Sequence, residues 1–159
     1  MSYAYLVSHT HMRIRHFMEV SLSWTIHHVN IPAHNVRQTA AFFRDVIGIP
    51  EGSAKVAPSD VRGNFNADAD HVAIFGENNR GIHIVKPVPE FAKNNGLLIN
   101  PTIGGHFAIT VSDLTAVKHR LDVAGIMYSE GGQYAMAGVT NIYLYDPSMN
   151  IIEINQLIP

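Results

Sequence analysis

Gly105-His106-Phe107-Ala108-Ile109-Thr110-Val111, followed by Asp113 and the stripe Leu114, Val117, Leu121 and Ala124 up to Gly125, decides the fold, because the same pattern occurs earlier in the chain. The seven-residue run alternates, as a strand does. Asp113 suits an N-cap, the stripe has helical spacing, and Gly125 suits the position just past a helix end. The earlier version is Ile26-His27-His28-Val29-Asn30-Ile31, then Asn35, then Val36, Ala40, Phe43 and Ile47, closed by Gly48. Shifted by 78 positions, His28 falls on His106, Ile31 on Ile109, Asn35 on Asp113 and Phe43 on Leu121. A second ungapped overlay, shifted by 70, sets His71 on Asn141, Phe75 on Tyr145, Ile82 on Ile152 and His83 on Glu153. The pattern predicts two copies of strand–helix–strand–strand–strand.

Working outward, His71–Phe75 and Ile82–Val85 are predicted strands around the turn Gly76–Gly81. Residues 50–70 are expected to be strand plus loop. Residues 88–104 read as a linker, a strand is expected around Met127, and a hairpin closes the chain. One domain is expected over 24–159, with a first module over 24–87 and a second over 105–159. Residues 1–23 fit no clean period and read as an N-terminal extension or arm.

Strand side chains alternate between faces. His28 and Asn30 then share a face opposite Val29 and Ile31; His27 falls on the other side and is not expected to be a ligand. His106 opposes Phe107 and Ile109, His83 opposes Ile82 and Ile84, and Glu153 with Asn155 opposes Ile152 and Ile154. Four repeat-equivalent positions therefore carry His28, His83, His106 and Glu153. By the same parity, His71, Asn141, Tyr143 and Tyr145 project to their side. A carboxylate among Ile151, Ile152 and Ile154 is costly to bury without a partner. His34 and His119 read as solvated, and Arg62, Asn64 and Asn66 lie on a loop able to close a site.

Composition narrows the partners. The 159 residues carry a formal charge of −2 and ten histidines, so no basic face argues for nucleic acid or an anionic membrane. No cysteine is present, which excludes disulfides, thiolate zinc sites and cysteine nucleophiles. No apolar run approaches a membrane span and no leader is read, so a cytoplasmic protein is expected.

The runs His28-Val29-Asn30-Ile31 and Ala41-Phe42-Phe43-Arg44-Asp45-Val46-Ile47-Gly48, with His106-Phe107-Ala108-Ile109 and Asp146-Pro147…Asn150…Glu153, resemble the vicinal oxygen chelate superfamily. That superfamily includes glyoxalase I, methylmalonyl-CoA epimerase, extradiol dioxygenases, and fosfomycin- and bleomycin-resistance proteins. The resemblance covers residues 24–157. It implies an α+β fold in which two βαβββ modules form a curved, open, mixed β-barrel with helices outside. It implies one divalent transition metal (Zn, Ni, Co, Mn or Fe(II)) held by His28, His83, His106 and Glu153. If His83 does not bind, a set of two histidines and one carboxylate remains.

The implied function is a metal-dependent lyase or isomerase acting on a small substrate with vicinal oxygens. The metal stabilises an enolate and Glu153 moves the proton, with His71, Asn141, Tyr143 and Tyr145 as substrate contacts. A homodimer is expected. The sequence departs from glyoxalase I at His83, where a second glutamate usually stands. An extradiol-type Fe(II) dioxygenase is the alternative, although the histidine that pattern places before Tyr143 has no counterpart in Gln133–Met136. A binding protein of the resistance type, without metal, is the second alternative.

Overall fold

The computed structural model describes residues 22–58, 65–133 and 136–158. The expected arm over 1–23 falls almost wholly outside them, as do Arg62 and Asn64 of the expected closing loop.

Seven strands form one mixed, open sheet. In chain order the elements are β1 (Trp24–Pro32), α1 (Val36–Ala41), β2 (Val72–Phe75), β3 (Gly81–Val85), α2 (Phe91–Asn94), β4 (His106–Val111), α3 (Leu114–Ala124), β5 (Tyr128–Gly132), β6 (Val139–Tyr145) and β7 (Ile151–Leu157). Across the sheet the order is β2-β3-β1-β4-β7-β6-β5. β1 pairs parallel with β3 and β4 parallel with β7; β1 and β4 meet antiparallel at the centre.

α1 and α3 begin where the caps were expected. Asn35 accepts from the Gln38 amide at 3.0 Å and Asp113 from the Ala116 amide at 2.9 Å. Gly48 and Gly125 close the two helical segments at positive φ, 82° and 69°, a conformation glycine adopts without steric cost. The first helix departs from expectation in its second half. Phe42–Ile47 winds as a π-helix, whose wider turn moves later residues off the α stripe. Val36 and Ala40 are buried and Phe43 packs on them, but Ile47 is 53% exposed.

One further expectation is corrected. Among the described residues of 50–70 there is no strand; Val56 makes an isolated antiparallel bridge to Met136 instead. The linker carries structure of its own: α2 supplies Phe91, and Leu97 and Ile99 follow it into a buried cluster with Tyr143.

The alternation sorts the core. On one face, α1 covers Ala73, Phe75 and Ile84, and α3 covers Ile142, Leu144 and Ile154. The other face carries Val72, Ile74 and Val85, with His83, Asn141, Tyr143, Glu153 and Asn155, all buried. Ile142 is fully buried beneath α3. Truncating it as Ile142→Ala is expected to cost about 2–5 kcal/mol through lost transfer energy and the void left behind. Urea unfolding will show this as a lower midpoint at unchanged slope.

Candidate metal centre

Two adjacent rungs of the sheet build the site. On one, His28 of β1 faces Ala108 of β4, which faces Glu153 of β7, which faces Tyr143 of β6. On the next, His83 of β3 faces Asn30 of β1, which faces His106 of β4. Residues directly opposite share a face, so all of these project to one side. Ala108, fully buried, keeps the middle of the first rung short, and the larger side chains converge above it.

The convergence is close. His28 Nε2 lies 3.2 Å from His106 Nε2 and 3.7 Å from Glu153 Oε2, and His106 Nε2 lies 3.3 Å from that same oxygen. The three side chains offer one donor atom each within 4.8 Å of one another. His28 and Glu153 are almost fully buried and His106 nearly so.

Hydrogen bonds assign the protons. His106 Nδ1 faces the Pro101 carbonyl at 3.0 Å. A carbonyl only accepts, so Nδ1 carries the proton and Nε2 presents a lone pair. Glu153 Oε1 accepts from Asn155 Nδ2 at 2.8 Å, which leaves Oε2 facing the imidazoles. Burial pushes the Glu153 carboxyl up, but the neighbouring His28 and His106 and the Asn155 hydrogen bond pull it down further, and the net places it below the usual carboxylate range. Burial drives the His28 imidazole well below its ordinary value. An ionised carboxylate and an imidazole lone pair thus face each other at the cluster's centre. One positive centre reconciles them with His28: a proton on His28 Nε2, or a cation in its place. Two imidazoles and a carboxylate are a donor set that divalent transition metals accept, so the residues fit the ion.

His83 stands differently. Its ring stacks on His28 at 3.9 Å between centroids, and its Nε2 donates to the Asn79 carbonyl at 2.7 Å. It lies outside the group of three, with only Nδ1 free of that bond. Asn79, held at φ 59°, also clasps Lys55 by accepting from its amide at 2.8 Å and donating to its carbonyl at 2.6 Å. This ties the segment beside the cavity to the histidine stack.

The other expected contacts divide. Tyr143 lines the cavity of about 50 Å³ above the cluster and packs edge-on against His106. Asn141 is buried behind it and donates to the Tyr143 hydroxyl at 3.2 Å. Tyr145 and His71 do not reach this cavity. Tyr145 is 39% exposed at the rim of surface grooves. His71 lines a neighbouring pocket, with Nδ1 2.6 Å from Asp68 Oδ1.

His27 corrects the parity reading. It is buried, with Nδ1 2.9 Å from His28 Nδ1. The β1–β4 register slips by one residue between Ile26 and His28, so His27 is the extra residue of a β-bulge, where alternation fails. The adjacent His27-His28 pair was the available signal. Nothing in the sequence marked Asn79 or Pro101 as supports.

Solved structures share the fold that carries this site. Methylmalonyl-CoA epimerase from Mycobacterium tuberculosis aligns at 18% identity over 84% of this chain and 88% of its own, with a TM-score of 0.55. A single-substitution variant of the Streptomyces coelicolor methylmalonyl-CoA epimerase, in complex with 2-nitronate-propionyl-CoA, aligns at 18% over 86% and 100%, TM-score 0.56. A glyoxalase/bleomycin resistance protein/dioxygenase superfamily member from Vibrio splendidus aligns at 12% over 84% and 99%, TM-score 0.54. At these identities the likeness is one of fold. No curated protein matches the sequence. The family model for the glyoxalase/bleomycin resistance protein/dioxygenase superfamily matches residues 25–154, from the first strand through the buried glutamate, and the chain belongs to that superfamily.

Proposed function

We propose that this protein is a divalent-metal-dependent enzyme that moves a proton on a small substrate carrying vicinal oxygens, as a lyase or isomerase. The observation that carries the reading is the meeting of His28 Nε2, His106 Nε2 and Glu153 Oε2 in one buried spot. Bound there, a divalent transition metal would supply Lewis-acid stabilisation of charge developing beside a chelated carbonyl. The chain's own residues do the rest. The Pro101 carbonyl holds His106 with Nε2 toward the cluster. Asn155 holds Oε1 and so turns Oε2 toward the cluster, and Glu153, the one carboxylate of the group, is the residue that takes and returns the proton. Tyr143, Val85 and Phe91 line the cavity, and their apolar surface keeps water from competing with the substrate.

Two further points belong to this proposal. Residues 24–159 act as one domain of two modules, 24–87 and 105–159, the second a full βαβββ and the first showing three of its four strands among the described residues, curved into an open barrel around the site. The matching parallel pairs β1–β3 and β4–β7 support that pairing of halves. His71 and Tyr145 take a place in substrate binding only beyond the cavity, at the rim.

A second reading, an extradiol-type Fe(II) dioxygenase, has a specific observation in its favour. His83 turns its Nε2 to Asn79, and the remaining two histidines and one carboxylate are the donor set of non-haem Fe(II) oxygenases. One experiment separates the readings. The purified protein is expected to retain about one transition metal per chain and, in deuterium oxide, to exchange the α-hydrogen of small hydroxy-carbonyl compounds without dioxygen. Strict dependence on Fe(II) and dioxygen would install the second reading; metal-free protein after mild purification would remove both.

A further inference from the structure

The geometry points to His27 as a positioning residue that sets the tautomer of His28, and so controls metal affinity at the site proposed above. The inference rests on that reading. Three observations carry it. His27 is the inserted residue of the bulge between Ile26 and His28. The bulge turns its ring into the protein, where it is 4% exposed. There its Nδ1 lies 2.9 Å from His28 Nδ1.

A metal-binding imidazole generally donates its second N–H to a carboxylate, a carbonyl or water, which fixes its orientation. His106 follows that habit through Pro101. His28 does not: the group at its Nδ1 is another imidazole. An imidazole is the one neutral side-chain ring that either donates or accepts at the same nitrogen, according to its tautomer. With no cation in the cluster, His28 carries its proton on Nε2, toward His106 and Glu153, and Nδ1 accepts from His27. With a metal at Nε2, His28 carries its proton on Nδ1 and donates it to His27 Nδ1, whose own proton moves to Nε2. Both states keep every buried nitrogen at this contact partnered, with no change in net charge. A carbonyl in the place of His27 would satisfy only the second state.

The bulge is itself fastened from outside. Arg80 Nη2 donates to the Ile26 carbonyl at 2.6 Å and to Thr25 Oγ1 at 2.9 Å. These bonds hold the two residues before His27 and keep the inserted residue in register with the site.

The test uses two substitutions of different chemistry. In His27→Asn, the amide reaches the position of the imidazole Nδ1 and, by rotating, still either accepts or donates. In His27→Leu, a methyl group fills that position and does neither. Zinc and cobalt affinities of the full chain are measured by competition with a chromophoric chelator. His27→Leu is expected to bind metal about 10–100-fold more weakly than wild type, the usual effect of losing a ligand's hydrogen-bond partner, and His27→Asn within about threefold of it. Nitrogen-15 spectra of the zinc-loaded wild type should show His28 protonated at Nδ1. A packing role alone would lower thermal stability in the variants without separating their metal affinities. Equal affinity of His27→Leu and wild type overturns the inference, as does a folded His27→Asn that binds as weakly as His27→Leu. A wild-type chain that takes up no metal overturns the proposed function, and this inference with it.

Discussion

Glu153→Gln is expected to remove most of the metal-linked stabilisation while leaving the fold in place. At a metal concentration about a thousandfold above the dissociation constant, the wild-type chain should gain about 4 kcal/mol of stability from binding. The amide matches the carboxylate in size, and its oxygen can still accept from Asn155, which now bonds Oε1 at 2.8 Å. It removes the single negative charge from the buried cluster, where the ion-pair partners of Glu153 among the described residues are His28 and His106. Two neutral imidazoles without the carboxylate hold a divalent ion poorly. We expect binding weaker by about a hundredfold or more, about 3 kcal/mol, and no turnover. Thermal unfolding with and without zinc reads both effects. A variant that keeps the full metal-induced shift would show that Glu153 is not a ligand.

Acid should destabilise the metal-free protein well before its carboxylates titrate. His83 is 5% exposed, and burial holds its imidazole down to about 4 from an ordinary 6.5, against a smaller upward pull from its bond to Asn79. Burial lowers His28 and His27 as well. A depressed histidine means that the unfolded chain binds the proton first. The stability from burying the neutral ring is therefore complete above pH 6.5 and is lost as pH falls from there toward 4. For His83 alone the loss is about 3 kcal/mol across that window. Depressed carboxyls such as Asp146, which accepts from the Asn150 side chain and from the Asn150 and Ser148 backbone amides, contribute in the same direction with falling pH but only at lower pH, where they take up protons. Urea midpoints of the metal-free protein between about pH 7.5 and 4.5 should fall steadily, and His83→Gln should flatten the fall. A midpoint that does not change with pH across that range would contradict the burial of these rings in the neutral form.

The reach of the sequence differs from residue to residue. Asn35 and Asp113 cap their helices because an Asx oxygen bonds a backbone amide three residues on, a local interaction that the sequence displays directly. The turn after β6 is local as well: Asp146 gathers the Ser148 and Asn150 amides, and Met149 sits at φ 66°, in the left-handed region. The sidedness of His83, His106 and Glu153 followed from period-two alternation, and one repeat compared with the other singled out those positions. By itself the sequence thus determined the helix starts, most strands, and which residues of those strands share the face bearing the site.

The rest depended on partners distant in the chain. His83 turns its Nε2 to the Asn79 carbonyl, and Asn79 is bonded in turn to Lys55, from the segment well before β2. The side on which His27 lies is set by a one-residue slip against β4, a strand from the other half of the chain. Ile47 leaves the core because the first helix widens, and Val56 bridges Met136 across the two halves instead of forming a strand. Alternation and capping are short-range and act on neighbours in sequence. Bulges, register and the aim of a ring nitrogen answer to whatever the sheet brings alongside, and so the tertiary structure alone decided that two histidines and a glutamate converge and that a third histidine and a fourth stand beside them.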